Sequence, residues 1–263
     1  MMKRVEILAI GKEILKGQTL DTNSHWLARR LTALGAYVGR IVVPDDDLEA
    51  IARELKRSLE DGAEVVITTG GMGPTFDDKT LEGVARAFEL SLEVHPWALE
   101  FVRRRYREFY QKGFVDSPDL TPEREKMARL PTGAEPLENP VGAAPVVMLE
   151  AEGAVIFCLP GVPREMRPAF EEVVLPKLKE ILGVGVHLEE EVDTGLKDES
   201  ALAQRIEKVM KKVPGVYLKS KPTRFGTDVR LKVVLSAAGP DEAEVRRRMA
   251  EAKDLLSALL SSP

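Results

Sequence analysis

The chain has 263 residues, a length that favours two folded units over one. Hydrophobic residues make up 44% of it and charged residues 31%, a balance that supports a packed core and excludes a disordered protein. The formal net charge of -5 argues against a nucleic-acid partner, because affinity for phosphate backbones comes from a surplus of lysine and arginine.

The sequence also argues against a membrane partner and a zinc site. No apolar run approaches the roughly 20 residues needed to span a bilayer. The single cysteine, Cys158, lies in an apolar run that is typical of a buried strand, and none of the three histidines stands at ligand spacing from another ligand residue. We therefore expect a cytoplasmic protein without disulfides.

The first 69 residues alternate short apolar runs with helical periodicity. Strands are predicted at Val5–Ile10, Val38–Val43 and Val65–Thr69. Leucines at helical spacing mark one helix between the first two strands and another between the second and third. Two successive βαβ units predict an α/β fold with a mostly parallel sheet that is covered on both faces.

A glycine-rich turn, Thr68–Thr75, follows the third predicted strand and precedes a predicted helix. Glycines let backbone N–H groups approach an anion, so Gly70, Gly71 and Gly73 are candidate phosphate-binding residues, together with Thr75. The alternative is a purely structural strand-to-helix turn. Three glycines and a proline within five residues favour the phosphate site.

Two aspartates follow the glycine-rich turn directly. A carboxylate pair beside a phosphate is typical of a divalent cation site, so Asp77 and Asp78 are candidate metal ligands. The alternative is that one of them caps the next helix, which carries Leu81, Val84 and Phe88.

Two further polar loops follow strands of the same predicted sheet. The segment Gly11–Ser24 follows the first strand and contains Glu13 and Asn23, and the cluster Asp45–Asp47 follows the second. In an open parallel sheet the carboxyl ends of the strands form the ligand-binding edge, so these loops are expected to line one crevice. The alternative is again N-capping, by Asp21 or Asn23 for the first helix and by Asp47 for the second.

The alternation of predicted strands and helices is interrupted after residue 95. Residues 96–131 are predicted to form a helical insertion, interpreted as a possible lid, with a helix entered at Thr121 through a capping box. Val146–Glu150 and Val155–Leu159 are predicted to form a hairpin, and a helix is expected from about Arg164 to Leu182.

The last 80 residues predict a separate, small α+β domain. We assign residues 1–182 to the nucleotide-binding domain and residues 183–263 to this second domain. Its predicted elements, in chain order, are a strand at Val186–Val192, a helix at Ser200–Lys212, strands at Val216–Lys221 and Asp228–Ser236, and a helix at Asp241–Leu260.

Several of these segments together resemble the competence/damage-inducible CinA family in its molybdopterin-binding-like domain, and more distantly the MoaB/MogA molybdopterin adenylyltransferases. The resemblance covers about residues 3–180. It rests on the segments Gly11–Leu15, Asp21–Ser24, Val43–Asp45, Thr68–Thr80 and Leu159–Pro163. It implies a three-layer αβα sandwich followed by a small α+β domain, and a homo-oligomer, expected to be a dimer.

The two branches of this resemblance imply different reactions. The CinA branch implies metal-dependent hydrolysis of ADP-ribose to AMP and ribose 5-phosphate. The adenylyltransferase branch implies formation of an adenylylated pterin, with essential aspartates that match Asp45 and Asp78. Both imply a divalent metal (Mg²⁺, Mn²⁺ or Co²⁺), with a monovalent cation as an accompanying ion.

The chain departs from the family pattern at two positions. Lys12 stands where the family's first loop usually has an aspartate, and Pro145 stands where a glycine is common after Asn139. The amidase domain that full-length CinA proteins carry is not expected, and neither is deamidation of nicotinamide mononucleotide.

The leading hypothesis is a nucleotide pyrophosphatase of the ADP-ribose-hydrolysing type. In it the amides of Gly70, Gly71 and Gly73 hold the diphosphate. The polar side chains take three roles. Asp77 and Asp78 bind the metal, and Asp45 and Asp78 are catalytic. Glu13 and Asn23 line the ribose side of the crevice. The alternatives are molybdopterin adenylyl transfer or binding, and a nucleotide-binding regulatory module without catalysis.

Overall fold

The computed structural model describes residues 3–183, 186–196, 198–222 and 230–261. The chain divides into two compact units, with the main boundary between Ile181 and Leu182. Within the described ranges, no helix is both long enough and apolar enough to cross a lipid bilayer.

The first unit alternates strands and helices. Its strands are β1 (Arg4–Ala9), β2 (Tyr37–Val42), β3 (Val65–Thr69), β4 (Leu92–Val94), β5 (Arg129–Pro131), β6 (Glu135–Leu137), β7 (Val146–Ala151) and β8 (Ala154–Leu159). Its helices are α1 (Lys12–Leu15), α2 (Thr22–Ala33), α3 (Leu48–Glu60), α4 (Thr80–Ala87), α5 (Pro96–Gln111), α6 (Pro122–Lys126), α7 (Pro163–Ala169) and α8 (Leu175–Leu182).

The central sheet has the strand order β2-β1-β3-β8-β7-β6. Strands β2, β1, β3 and β8 are parallel, while β7 and β6 run antiparallel to their neighbours. Parallel strands joined by helices must be covered on both faces, which is why β3 is buried at every position. The predicted α/β fold, a three-layer αβα sandwich with a mostly parallel sheet, is confirmed.

The core beneath one face of this sheet explains the position of α5. Phe101 and Val102 of α5 are buried in the same cluster as Leu8 of β1 and Val66 of β3. Helix α5 of the segment predicted as an inserted lid therefore contributes side chains to the core. The apolar residues of α5 recur on one face, and burying that face fixes the helix in place.

The helix predicted from about Arg164 to Leu182 forms with one irregularity. A π-helical turn at Phe170–Val174 joins α7 to α8, two residues after Pro168. Proline lacks an N–H and disturbs the regular hydrogen-bond ladder, which accounts for the local change of helix type. Cys158 is buried in β8 as predicted, and burial raises the pKa of its thiol to about 11, so it is not a nucleophile.

The second unit is a small α+β fold with its own core. Its elements are β9 (Val186–Asp193), α9 (Glu199–Lys212), β10 (Val216–Pro222), β11 (Leu231–Gly239) and α10 (Glu242–Ser261). The three strands form an antiparallel sheet in the order β10-β11-β9, on which both helices pack. The predicted second domain is confirmed in its element order. The start of its predicted third strand, at Asp228, lies outside the described residues.

Candidate functional site

The register of the central sheet brings distant loops together. Ala9 at the end of β1 is paired with Thr69 at the end of β3, and Thr69 is paired with Leu159 at the end of β8. The three parallel strands therefore end at the same level. Because β7 runs antiparallel to β8, the loop that precedes Val146 opens at this edge as well.

These loops enclose an open cleft of about 580 Å³. This volume lies within the range of small-molecule sites in proteins, which is about 300 to 1,000 Å³. The glycine-rich turn and the loop after β1 form the polar part of its lining. The rest of the lining is largely apolar and includes Tyr106, Phe109, Met127, Ala143 and Ala144, together with Glu165, and Met127 also lies beside the glycine-rich turn.

Two glycines of the turn are required by close contacts. Gly70 has a φ of 102°, and a Cβ atom there would lie 2.2 Å from the carbonyl oxygen of Ile10. Gly71 has a φ of 62°, and a Cβ atom there would lie 2.3 Å from the hydroxyl of Thr80. Positive φ values favour glycine, so any other residue would distort the turn.

Only part of this turn can donate to a ligand. The N–H of Gly70 donates to the carbonyl oxygen of Leu159 at 3.1 Å, so the amide predicted to hold a phosphate is already used. Within the described part of the chain, the amides of Gly71, Met72 and Gly73 have no recorded acceptor. Of the three amides predicted to hold a phosphate, those of Gly71 and Gly73 remain as donors, and the amide of Met72 lies between them.

The two aspartates after the turn fold back onto it. Thr75 donates its backbone N–H to Asp78 Oδ2 at 2.9 Å, and its Oγ1 lies 2.5 Å from both Asp77 Oδ1 and Asp78 Oδ2. Neither aspartate caps α4, which begins at Thr80 after Lys79 and has no side-chain cap. The capping alternative is wrong for Asp77 and Asp78 because their carboxylates are held by Thr75.

This arrangement concentrates negative charge at the cleft. The hydrogen bond from Thr75 holds the pKa of Asp77 below its usual range, with a smaller contribution from the charge of Lys126. A hydroxyl carries one proton and can donate to only one of two carboxylates at a time. The oxygens of Asp77 and Asp78 are therefore a site where a cation would relieve repulsion.

The loop after β1 contributes both predicted residues to the cleft. Glu13 and Asn23 line it, and the amide of buried Asn23 donates to Thr69 Oγ1 at 3.0 Å and to the Gly161 carbonyl oxygen at 2.7 Å. Asn23 thus ties α2 to β3 and to the loop after β8, while its own Oδ1 is buried without a partner among the described residues. The capping role falls to Asp21, which accepts from the Ser24 amide at 2.9 Å.

The three aspartates that follow β2 have different partners. Asp47 caps α3 by accepting from the Ala50 amide at 2.9 Å, as the capping alternative predicted. Lys12 Nζ lies 3.2 Å from Asp45 Oδ1 and 3.8 Å from Asp46 Oδ1. The carboxylate that lines the cleft is that of Asp46, whereas Asp45 is paired with Lys12.

Asp45 and Asp46 titrate as a pair. The hydrogen bond with Asp46, and then that with Lys12, lowers the pKa of Asp45, while burial and then the hydrogen bond with Asp45 raise the pKa of Asp46. The two carboxyl groups hold a proton most readily on Asp46. The catalytic role predicted for Asp45 would therefore have to be exerted beside the Lys12 ammonium.

The apolar part of the lining was not predicted. Tyr106 and Phe109 come from α5, which the sequence marks only as an amphipathic helix, and Glu165 comes from α7. The signal available for Glu165 was its place directly after the Leu159–Pro163 segment, which itself belongs to the ligand-binding edge.

The donor set in the polar part of the lining fits a divalent cation. Among the described residues, no group of three or more His, Cys, Asp or Glu side chains forms a complete metal site. Asp77, Asp78 and the Thr75 hydroxyl supply hard oxygen atoms around one point. Mg²⁺ is commonly held by one or two carboxylates with phosphate oxygens and water completing the shell, which suits this partial set.

Comparison with known proteins shows which family and which relatives the chain is similar to. Residues 6–180 match the model of the family described as the probable molybdopterin-binding domain. A protein of Aeropyrum pernix is 47% identical over 243 residues, covering 91% of this chain and 88% of its own. A protein of Pyrococcus horikoshii is 41% identical over 221 residues, covering 84% of this chain and 85% of its own.

Among solved structures, the crystal structure of the protein CinA with unknown function from Thermoplasma acidophilum is similar. It is 37% identical and has a TM-score of 0.61, and the match covers 68% of this chain and 98% of that one. The family model covers more than half of the chain, including the glycine-rich turn and the loop after β8. The chain therefore belongs to the family of the probable molybdopterin-binding domain.

Proposed function

We propose that the cleft binds a phosphorylated pterin of the molybdopterin type and transfers the adenylyl group of ATP to its phosphate, with release of diphosphate. The observation that carries this proposal is that one cleft is lined both by a turn whose amides have no acceptor among the described residues and by apolar and aromatic side chains. A phosphate suits the first and a planar heterocycle suits the second. The family match to a molybdopterin-binding domain supports the same ligand class.

The polar part of the lining would stabilise the charge of the reacting phosphate. The amides of Gly71, Met72 and Gly73 would donate to its oxygens, and the N-terminus of α4 would add the positive end of its dipole. Such fixed donors need no reorganisation during the reaction, and this is often the largest contribution to catalysis. The buried Oδ1 of Asn23 offers one acceptor for a ligand hydroxyl.

Asp77 and Asp78 would hold a divalent cation next to this phosphate. When bound, this cation would polarise the phosphoryl oxygens and screen their negative charge. The chain's own contribution is to hold both carboxylates at one point through Thr75, whose hydrogen bond also lowers the pKa of Asp77. Asp46 borders the same cleft, and Lys12 offsets the charge of the Asp45 and Asp46 pair.

A second candidate is hydrolysis of ADP-ribose to AMP and ribose 5-phosphate. The observation that favours it is the similarity to the Thermoplasma protein CinA at 37% identity, since the CinA resemblance implies this reaction. The same amides and the same two aspartates would then act on a diphosphate. The two candidates differ in what lies against the apolar part of the lining, a pterin or an adenosine.

One experiment separates the candidates. The protein is incubated anaerobically with molybdopterin and ATP, and separately with ADP-ribose, in Mg²⁺, Mn²⁺ or Co²⁺ and with K⁺, and the products are identified by mass spectrometry. We expect adenylylated molybdopterin, and we expect Asp78→Asn to lower its rate by about 100-fold or more because a charged group at the phosphate is lost.

The matched control is Asp116→Asn, which neutralises an exposed aspartate outside the cleft and is expected to keep full activity. AMP and ribose 5-phosphate from ADP-ribose, with no adenylylated pterin, would replace the first candidate by the second. The absence of products and of binding in both mixtures would overturn both.

A further inference from the structure

Glu165 has an unusual position for a charged side chain. It lies in the first turns of α7 and forms part of the cleft wall, which Tyr106 and Phe109 also line. Those neighbours are apolar or aromatic, so a carboxylate among them loses much of its hydration. A carboxylate retained in such a place calls for a hydrogen-bonding partner.

The loop that precedes β7 is built around this carboxylate. Buried Asn139 accepts from the amides of Val141 and Gly142 and donates to the carbonyl oxygen of Ala144, which fixes the loop. A Cβ atom at Gly142 would lie 1.9 Å from Glu165 Oε2, so a larger residue at this position would displace the carboxylate from the loop.

The charges around Glu165 leave it without a full counterion. Among the described residues it forms no salt bridge, although the side chain of Asn139 and the charge of Arg105 both favour its ionised form. Arg105 itself is engaged with Glu108 and with the carbonyl oxygens of Gly142 and Val141. Burial outweighs these contributions and raises the pKa of Glu165.

We propose that Glu165 recognises the 2-amino-4-oxo edge of a fused heterocycle, the edge that pterins and guanine share, when the ring lies in the cleft beside Phe109. This inference rests on the proposed function, because it takes the glycine-rich turn as the phosphate site of the same ligand. Glu165 is then a specificity-determining residue that contacts the ring of the ligand.

The hydrogen-bonding edge of the ring distinguishes the 2-amino-4-oxo heterocycles from adenine. A 2-amino-4-oxo ring presents a ring N–H and an amino N–H side by side, and the two oxygens of an ionised carboxylate accept both. Adenine presents an amino group beside a ring nitrogen that only accepts. An ionised carboxylate would meet that lone pair with repulsion, so Glu165 favours the first class.

The test compares pterin with lumazine, in which an oxo group replaces the 2-amino group. Binding of each to the full chain is measured by fluorescence titration. We expect pterin to bind about 10- to 100-fold more tightly than lumazine, the usual cost of losing a hydrogen bond to a charged group. Guanosine and inosine 5′-monophosphates, which differ only in the same amino group, should show the same order.

The variants assign the preference to the carboxylate. Glu165→Gln is expected to reduce the ratio between pterin and lumazine to about threefold or less, since a neutral amide offers only one acceptor oxygen. Gly142→Ala keeps the carboxylate but displaces it, and is expected to reduce the ratio as well. Glu172→Gln neutralises an exposed carboxylate in the same helical run and should leave the ratio unchanged.

Binding of inorganic diphosphate reports separately on the glycine-rich turn. If diphosphate binding is lost in Asp78→Asn while pterin and lumazine bind the unaltered chain equally, the inference about Glu165 is overturned and the phosphate site stands. A ratio that is unchanged in Glu165→Gln, or a preference for AMP over the guanosine nucleotide, overturns it too. If neither diphosphate nor pterin binds the unaltered chain, the proposed function fails and the inference fails with it.

Discussion

Lys12 places a positive charge beside two carboxylates at the rim of the cleft. Its ammonium lies 3.2 Å from Asp45 and 3.8 Å from Asp46, and Asp46 lines the cleft in which a phosphorylated ligand would carry negative charge. The neighbouring carboxylates raise the pKa of Lys12, the hydrogen bond to Asp45 contributing most. Lys12 therefore stays charged at neutral pH and reduces the repulsion that the acidic pair would exert on a phosphate.

We predict that Lys12→Met weakens binding of inorganic diphosphate about two- to fivefold in 50 mM salt, because the ion pairs of an exposed lysine make only a small contribution in water. The effect should largely disappear in about 1 M salt, where screening acts over about 3 Å. Calorimetric titration at both salt concentrations measures it. Lys16→Met is the control, since it removes an exposed lysine that forms no ion pair in the described part of the chain. A loss of 50-fold or more that persists in salt would instead indicate direct contact with the ligand.

Asp47 and Asp78 show how similar sequence positions acquire different roles within their elements. Each follows a strand of the parallel sheet and precedes a helix, yet Asp47 bonds to the Ala50 amide of α3 while Asp78 turns back to Thr75. The cause is the length of the connection. α3 begins at Leu48, directly after Asp47, whereas α4 begins two residues after Asp78.

We predict that Asp47→Ala lowers the free energy of unfolding by about 1 kcal/mol through loss of the helix cap, which corresponds to a Tm lower by about 2 to 4 °C. Thermal unfolding followed by circular dichroism measures the change. Diphosphate affinity should remain unchanged, because Asp47 does not line the cleft. Asp78→Asn provides the opposite control, with weaker binding and a nearly unchanged Tm. Loss of affinity in Asp47→Ala would assign Asp47 to the site.

Periodicity predicted the elements well because most of them bury one regular face. The strands from β1 to β3 and the whole order of the second unit follow from apolar spacing alone. Helix α1 and the π-helical turn were missed, since four and five residues carry no period of their own. Tyr106 and Glu165 were missed for another reason: they meet the glycine-rich turn only through tertiary packing across distant parts of the chain.

The residues of the cleft and those of the second apolar core belong to different units of the chain. Every described residue that lines the cleft belongs to the first unit, and the family model likewise ends at residue 180. The second unit has its own apolar cluster, in which Val233 and Leu235 of β11 pack with Val245 and Leu256 of α10. Two separate cores predict that each unit can be stable without the contacts of the other.

We predict that a fragment of residues 1–183 folds and keeps the ligand site. It contains the complete six-stranded sheet and all of the described residues that line the cleft. The fragment should unfold in one cooperative transition and bind diphosphate and pterin within about threefold of the full chain, since only interactions outside the site are lost. Calorimetry and the same fluorescence titrations measure both quantities, with Asp78→Asn in the fragment as the control for specific binding. A fragment that folds cooperatively yet fails to bind would show that the second unit takes part in the site.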